Sequence, residues 1–138
     1  NQGFATTEYL AASYLDLKWH DQTVDDQISA SEIESKTTKD INLVPEIAPR
    51  YRSSYFQHIF SGGYSAGYYA YIWAEVLETD AYEEFKKNGI FDKKTAQSFR
   101  SNILEKGGSE KPMTLYKNFV GREPNIEPLM KSRGLLAE

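Results

Sequence analysis

An all-α fold is what this sequence predicts, and three observations predict it. Apolar residues recur at helical spacing in several separate segments. Glycines, prolines and capping residues punctuate the chain between those segments. No stretch shows the period-2 alternation of a half-buried strand, and no repeat is visible. At 138 residues the chain is about one domain, enough to bury roughly two-thirds of its unfolded surface. We therefore expect a single helical region over residues 1–138.

The elements follow in order. NQGFATTEYLAASYLDLKWH goes almost at once into helix. Thr6 or Thr7 can cap it, Glu8 suits its positive first turn, and Leu10, Tyr14 and Leu17 recur on one face. His20 closes that helix, where an imidazole suits the negative end, so a structural role is expected for it. Asp25 to Lys39 is polar, with Glu32 and Lys36 at i,i+4 spacing, and reads as a solvated helix. INLVPEIAPRY carries Pro45 and Pro49 and reads as an extended connector. Arg50 to Phe60 reads as a short helix. The longest element is expected from Ser65 to Asn88, stopped by Gly89 with Lys86 and Lys87 in its last turn. Asp92 can cap the next helix, whose apolar positions Ala96, Phe99, Ile103 and Leu104 precede Gly107 and Gly108. Lys111 to Val120 and Ile126 to Arg133 complete the set, ended by Gly121 and Gly134.

Composition narrows the function. Hydrophobic residues make up 40% and charged residues 26%, an ordinary globular balance. The net charge of −4, from 16 Lys+Arg against 20 Asp+Glu, argues against a nucleic-acid surface, which needs clustered cations. No apolar run approaches membrane-spanning length, so no membrane partner is expected. Cysteine is absent, so disulfides and thiolate zinc sites are not available. The first residues show no basic-then-apolar leader pattern and no initiator Met, and the start looks excised from something longer. Cytoplasm and periplasm both stay open as compartments.

The candidate site lies in HIFSGGYSAGYYAYIW, His58 to Trp73. Four phenols in sixteen residues are more hydroxyls than a core needs, because each buried one must find a hydrogen-bond partner. On a helix, Tyr64, Tyr68, Tyr71 and Glu75 share one face, rising about 10 Å from the first tyrosine to the third. Tyr69, Ile72, Trp73, Val76 and Leu77 cover other directions, and a helix apolar nearly all round is a buried one. The aligned tyrosines can be further core. Gly62, Gly63 and Gly67 speak for a loop that must move or that a ligand must approach, since each costs about 1 kcal/mol in a helix. His58, one turn and a loop before Tyr64, joins the candidates. There is no HExxH, no Gly-x-Ser-x-Gly, no phosphate loop and no calcium loop, and two distant histidines make no zinc site.

RYRSSYFQHIFSGGYSAGYYAYIWAEVL (Arg50 to Leu77) closely resembles the segment downstream of the zinc motif in thimet-oligopeptidase-like metallopeptidases. FATTEYLAASYLDLKWH (Phe4 to His20) and GREPNIEPLMKSRGL (Gly121 to Leu135) resemble the same family on either side, so the likeness covers essentially the whole chain. The His-x5-Tyr-x3-Tyr-x2-Tyr spacing fits the bacterial peptidyl-dipeptidase (dipeptidyl carboxypeptidase) and oligopeptidase A branch better than the thimet branch. The resemblance implies a large helical peptidase acting on short peptides, with one zinc whose HExxH helix and third, glutamate ligand lie upstream of Asn1. This chain would then be the C-terminal portion and one wall of the cleft. It would bind no metal by itself and would be inactive alone. Its partners would be the missing N-terminal portion or, when isolated, copies of itself.

Peptide hydrolysis passes through a tetrahedral oxyanion, and a phenol with pKa near 10 stays a donor at pH 7. The resemblance thus implies Tyr71 first, then Tyr64, as oxyanion donors, with His58 helping to hold substrate or intermediate. Tyr68 would bind substrate backbone or orient its neighbours, and the Gly62-Gly63 loop would let Tyr64 swing in. Arg50 and Arg52 can hold a substrate C-terminal carboxylate bidentately, or equally form surface or interdomain ion pairs. A non-catalytic peptide-binding module and a structural helical domain remain the rival readings.

Overall fold

The structure, a computed structural model, describes residues 1–21 and 28–136. Among these residues it is helical throughout, with no strand. Seven α-helices are described: α1 (Gln2–His20), α2 (Ala30–Asp40), α3 (Gln57–Phe60), α4 (Ala70–Asn88), α5 (Lys93–Phe99), α6 (Pro112–Val120) and α7 (Glu127–Ser132). A 3-10 turn at Ser53–Tyr55 precedes α3, and α5 widens into a π-helical turn at Arg100–Leu104. The chain forms two compact units, residues 1–71 and residues 72–138.

In the first unit α1 packs on α2, and α2 on the 3-10 turn. The face of α1 that is buried is not the predicted one. Leu10, Tyr14 and Leu17 are exposed, whereas Ala11, Ala12, Leu15 and Asp16 are buried. Small residues on the inner face let α1 approach its neighbours closely, and the core is completed by Ile33, Phe56, Ile59 and Tyr68. α1 also starts earlier than the threonine caps suggest, at Gln2.

α2 begins at a capping box. Ser29 Oγ accepts the Glu32 N–H at 3.3 Å, and Glu32 Oε2 accepts the Ser29 N–H at 2.8 Å. Such a cap contributes about 1 kcal/mol. Glu32 thus turns back to the cap rather than toward Lys36. The predicted start at Asp25 lies outside the described residues.

The expected Arg50–Phe60 helix is broken at Phe56. Glu34 Oε1 accepts the Ser53 N–H at 2.7 Å and the Trp19 indole donates to Ser53 Oγ at 2.9 Å, which fixes the turn from outside. Phe56 is fully buried at the break.

α4 starts at Ala70 rather than Ser65, and the reason is local. Ala66 has φ +53°, which no α-helix accepts, and the Ala66 and Tyr68 N–H groups bond Asp16 instead of a preceding carbonyl. Gly89 ends α4 at φ +105°, as predicted. Nor is α4 buried all round: Val76 and Asp80 are buried, while Tyr71 and Trp73 are 38% and 46% exposed.

In the second unit Asp92 Oδ2 caps α5 by accepting the Thr95 N–H at 2.7 Å. Gly121 ends α6 at φ +83°. Phe99 and Phe119 meet edge to face at 5.2 Å beside Phe85. Asp80, wholly buried, accepts a bidentate pair of bonds from Arg122, one from the Tyr116 hydroxyl at 2.5 Å and one from the Asn125 N–H at 2.8 Å. Burial alone would raise the Asp80 carboxyl. The bonds from Arg122, Tyr116 and Asn125 outweigh that and hold it below its usual range.

Candidate active-site wall

The site is built where the chain folds back over α3. Ser61 and Gly62 N–H groups both reach the Gln57 carbonyl at 2.9 Å, and the Tyr64 N–H reaches the His58 carbonyl at 3.0 Å. This return needs glycine at 62: a Cβ there would stand 2.7 Å from His58 Cα and 2.9 Å from its carbonyl oxygen. Gly63 follows at φ +81°. Gly67 differs, since a Cβ there would make only ordinary contacts, the nearest at 3.5 Å. Ser65 Oγ donates to the Ile59 carbonyl at 2.5 Å, and the Gly67 N–H reaches the Tyr64 carbonyl at 2.8 Å.

The three tyrosines do not share a helical face, because only Tyr71 lies on α4. The loop brings them together all the same. Tyr64 and Tyr71 stack with centroids 5.0 Å apart, and Tyr68 meets Tyr71 edge to face at 5.3 Å. The His58 ring stands 6.2 Å from Tyr64 and 5.8 Å from Tyr68. Exposure separates their roles. Tyr68 is 4% exposed and belongs to the core, Tyr64 and His58 are half-buried, and Tyr71 opens to solvent.

A hydrogen bond with the Tyr64 hydroxyl, then burial, push the Tyr71 phenol up to about 12. Burial, then the neighbouring Tyr51, raise Tyr68 as well. Both stay protonated at neutral pH, so both are hydrogen-bond donors. Tyr51 is a partner the sequence did not single out: it stacks on Phe56 at 4.7 Å and contacts the His58 ring at 5.2 Å.

The arginines lie apart in what they do. Arg52 bonds Glu34 at 2.8 Å, which matches the ion-pair alternative, and Arg50 lies over the Tyr51 ring at 6.0 Å. His20 is structural, its Nδ1 standing 2.8 Å from both Asp16 Oδ1 and the Asp16 carbonyl oxygen. Among the described residues no three His, Cys, Asp or Glu side chains come together as metal ligands. No described helix is long and apolar enough to cross a membrane.

Residues 1–135 match Peptidase family M3, and the chain belongs to that family. It is 44% identical over 138 residues to a dipeptidyl carboxypeptidase of Salmonella typhimurium, covering 98% of this chain and 20% of that protein. It is 54% identical over 80 residues to oligopeptidase A of Escherichia coli, covering 58% of this chain and 12% of that one. Saccharolysin of Saccharomyces cerevisiae is 34% identical over 139 residues, 98% and 19% of the two chains. The chain thus spans about a fifth of the length of the first of these relatives.

Proposed function

We propose that this chain supplies the transition-state-binding wall of a peptidase that hydrolyses short peptides, the peptide-activating metal being held by a part of the polypeptide outside these residues. The observation that carries the reading is the stacked Tyr64–Tyr71 pair, half open to solvent beside His58. When the scissile carbonyl becomes tetrahedral, its oxygen gains charge and needs donors already in place. In the resting structure the Tyr71 ring lies stacked on that of Tyr64. A substrate oxyanion accepts the Tyr71 O–H, and Tyr64 adds a second donor from the glycine loop. Tyr68, packed below, orients Tyr71 rather than touching solvent. His58 holds substrate or intermediate, and Arg50 is the freer of the two arginines to meet a substrate carboxylate.

Kinetics of Tyr71→Phe and Tyr64→Phe in the full-length peptidase test this. Each substitution keeps the ring and removes one hydroxyl. Loss of a donor used only in the transition state lowers kcat about a hundred- to a thousandfold, with KM nearly unchanged. A raised KM at constant kcat would instead make the residue a substrate binder. Near-normal kcat with a lowered melting temperature would contradict the proposal.

A further inference from the structure

The loop that carries the tyrosines is tied to α1 by a side chain that does not itself face the open wall. Asp16 is completely buried. Its Oδ1 accepts the Ala66 N–H at 2.9 Å and its Oδ2 accepts the Tyr68 N–H at 2.8 Å. His20 Nδ1 lies 2.8 Å from Oδ1 and from the Asp16 carbonyl oxygen, and 3.3 Å from the Ala66 nitrogen, whose N–H it shares with Asp16. A buried carboxylate requires donors, and two backbone N–H groups, one on each oxygen, supply them here. Tyr9, two turns earlier on α1, donates its hydroxyl to the Tyr68 carbonyl at 2.7 Å and stacks on the Tyr68 ring at 5.3 Å. Both backbone polar groups of Tyr68 are therefore held from α1. Next to Asp16 the chain adopts φ +53° at Ala66, a conformation alanine rarely takes unless its surroundings impose it.

We infer that Asp16 is a positioning residue for the tyrosine wall. It sets the 66–68 turn, which places the Tyr68 ring against Tyr71 and so holds the Tyr71 ring on that of Tyr64, with its hydroxyl at the open wall. This deepens the proposed function and rests on it. The chemistry demands a carboxylate rather than an amide. Two N–H groups point at two separate oxygens, and an asparagine would turn its own NH2 toward one of them.

The test is a set of variants in the full-length peptidase. Asp16→Asn should lower kcat by about ten- to a hundredfold with KM within about twofold, as a small misplacement of a reacting group does. In a Tyr71→Phe background the same change should cost almost nothing further, because the hydroxyl being placed is gone. Tyr9→Phe should give a smaller loss in the same direction, and it serves if Asp16→Asn folds poorly. Asp80→Asn removes the matching buried carboxylate of the second unit and should lower the melting temperature while leaving kcat intact. If Asp16→Asn and Tyr9→Phe lower only the melting temperature, or if the Asp16 and Tyr71 losses multiply, the inference is overturned. Should Tyr71→Phe alone prove harmless, the oxyanion reading fails, and the Asp16 inference is judged by amide exchange. Faster exchange at Ala66 and Tyr68 in Asp16→Asn, with α5 and α6 unchanged, would support it; unchanged exchange at those two amides would overturn it.

Discussion

Tyr68 and Tyr71 carry the same phenol three positions apart, and their surroundings give them different work. Tyr68 is sealed in the core with its backbone held by Asp16 and Tyr9, so its ring is a support. Tyr71 is 38% exposed and stacked on the half-buried Tyr64, so its hydroxyl is open to a ligand. Its raised pKa carries a prediction for pH. A phenol held near 12 stays protonated through the whole ordinary range and loses its proton only above that value. Any alkaline fall in kcat/KM between pH 8 and about 10 should therefore persist in Tyr71→Phe. A fall that disappears in that variant would mean Tyr71 titrates far lower than its neighbours allow. The sequence showed the tyrosines and the histidine, but not which phenol is core. That distinction depends on Asp16, whose signal in the sequence was one carboxylate set between apolar residues in YLDLKW. Nothing in helical spacing reveals that its partners lie fifty residues away.

At the scale of elements, the glycines separate into three cases. Gly62→Ala drives a Cβ into the His58 backbone and should cost about 1–3 kcal/mol, with the His58–Tyr64 arrangement disturbed. Gly63→Ala forces a left-handed alanine, about 1–2 kcal/mol. Gly67→Ala meets no obstacle and should change stability by no more than about 0.5 kcal/mol. If Gly67 serves a moving loop, Gly67→Ala slows turnover at unchanged melting temperature; if turnover is also unchanged, that role falls to Gly62 and Gly63. In the second unit, Asp80 clamps the Arg122–Asn125 segment. Its carboxyl is held below the unfolded value, so its contribution is present above about pH 4 and is lost as pH falls through the folded value. The melting-temperature difference between wild type and Asp80→Asn should be wide at pH 7, corresponding to about 3 kcal/mol, and should shrink on acidification. A difference independent of pH would refute the clamp. Helix ends set by local chemistry were legible: Asp92, Gly89, Gly121 and Gly134 sit where expected. The start of α4 and the buried face of α1 were not, because both are decided by contacts distant in the chain.

For the whole molecule, the apolar residues on the surface are the feature the sequence could not assign. Phe91 is 94% exposed, Leu104 64% and Tyr14 52%. We propose that such residues are covered by a partner surface, which in the isolated chain would be a second copy. Isolated, it should self-associate, and light scattering showing a monodisperse monomer at high concentration would count against that. Dialysed, it should retain no stoichiometric zinc by metal analysis, since tight zinc would require a ligand set the described residues lack. The central claim is that the tyrosine wall binds the transition state rather than the substrate, and inhibitor affinity tests it most directly. In the full-length peptidase, a phosphinic peptide mimics the tetrahedral oxyanion, while a non-hydrolysable peptide of the same sequence mimics the ground state. Tyr71→Phe is expected to weaken the phosphinic peptide about a hundredfold or more and to leave the ground-state peptide within about twofold. Equal weakening of both, or of neither, would contradict it.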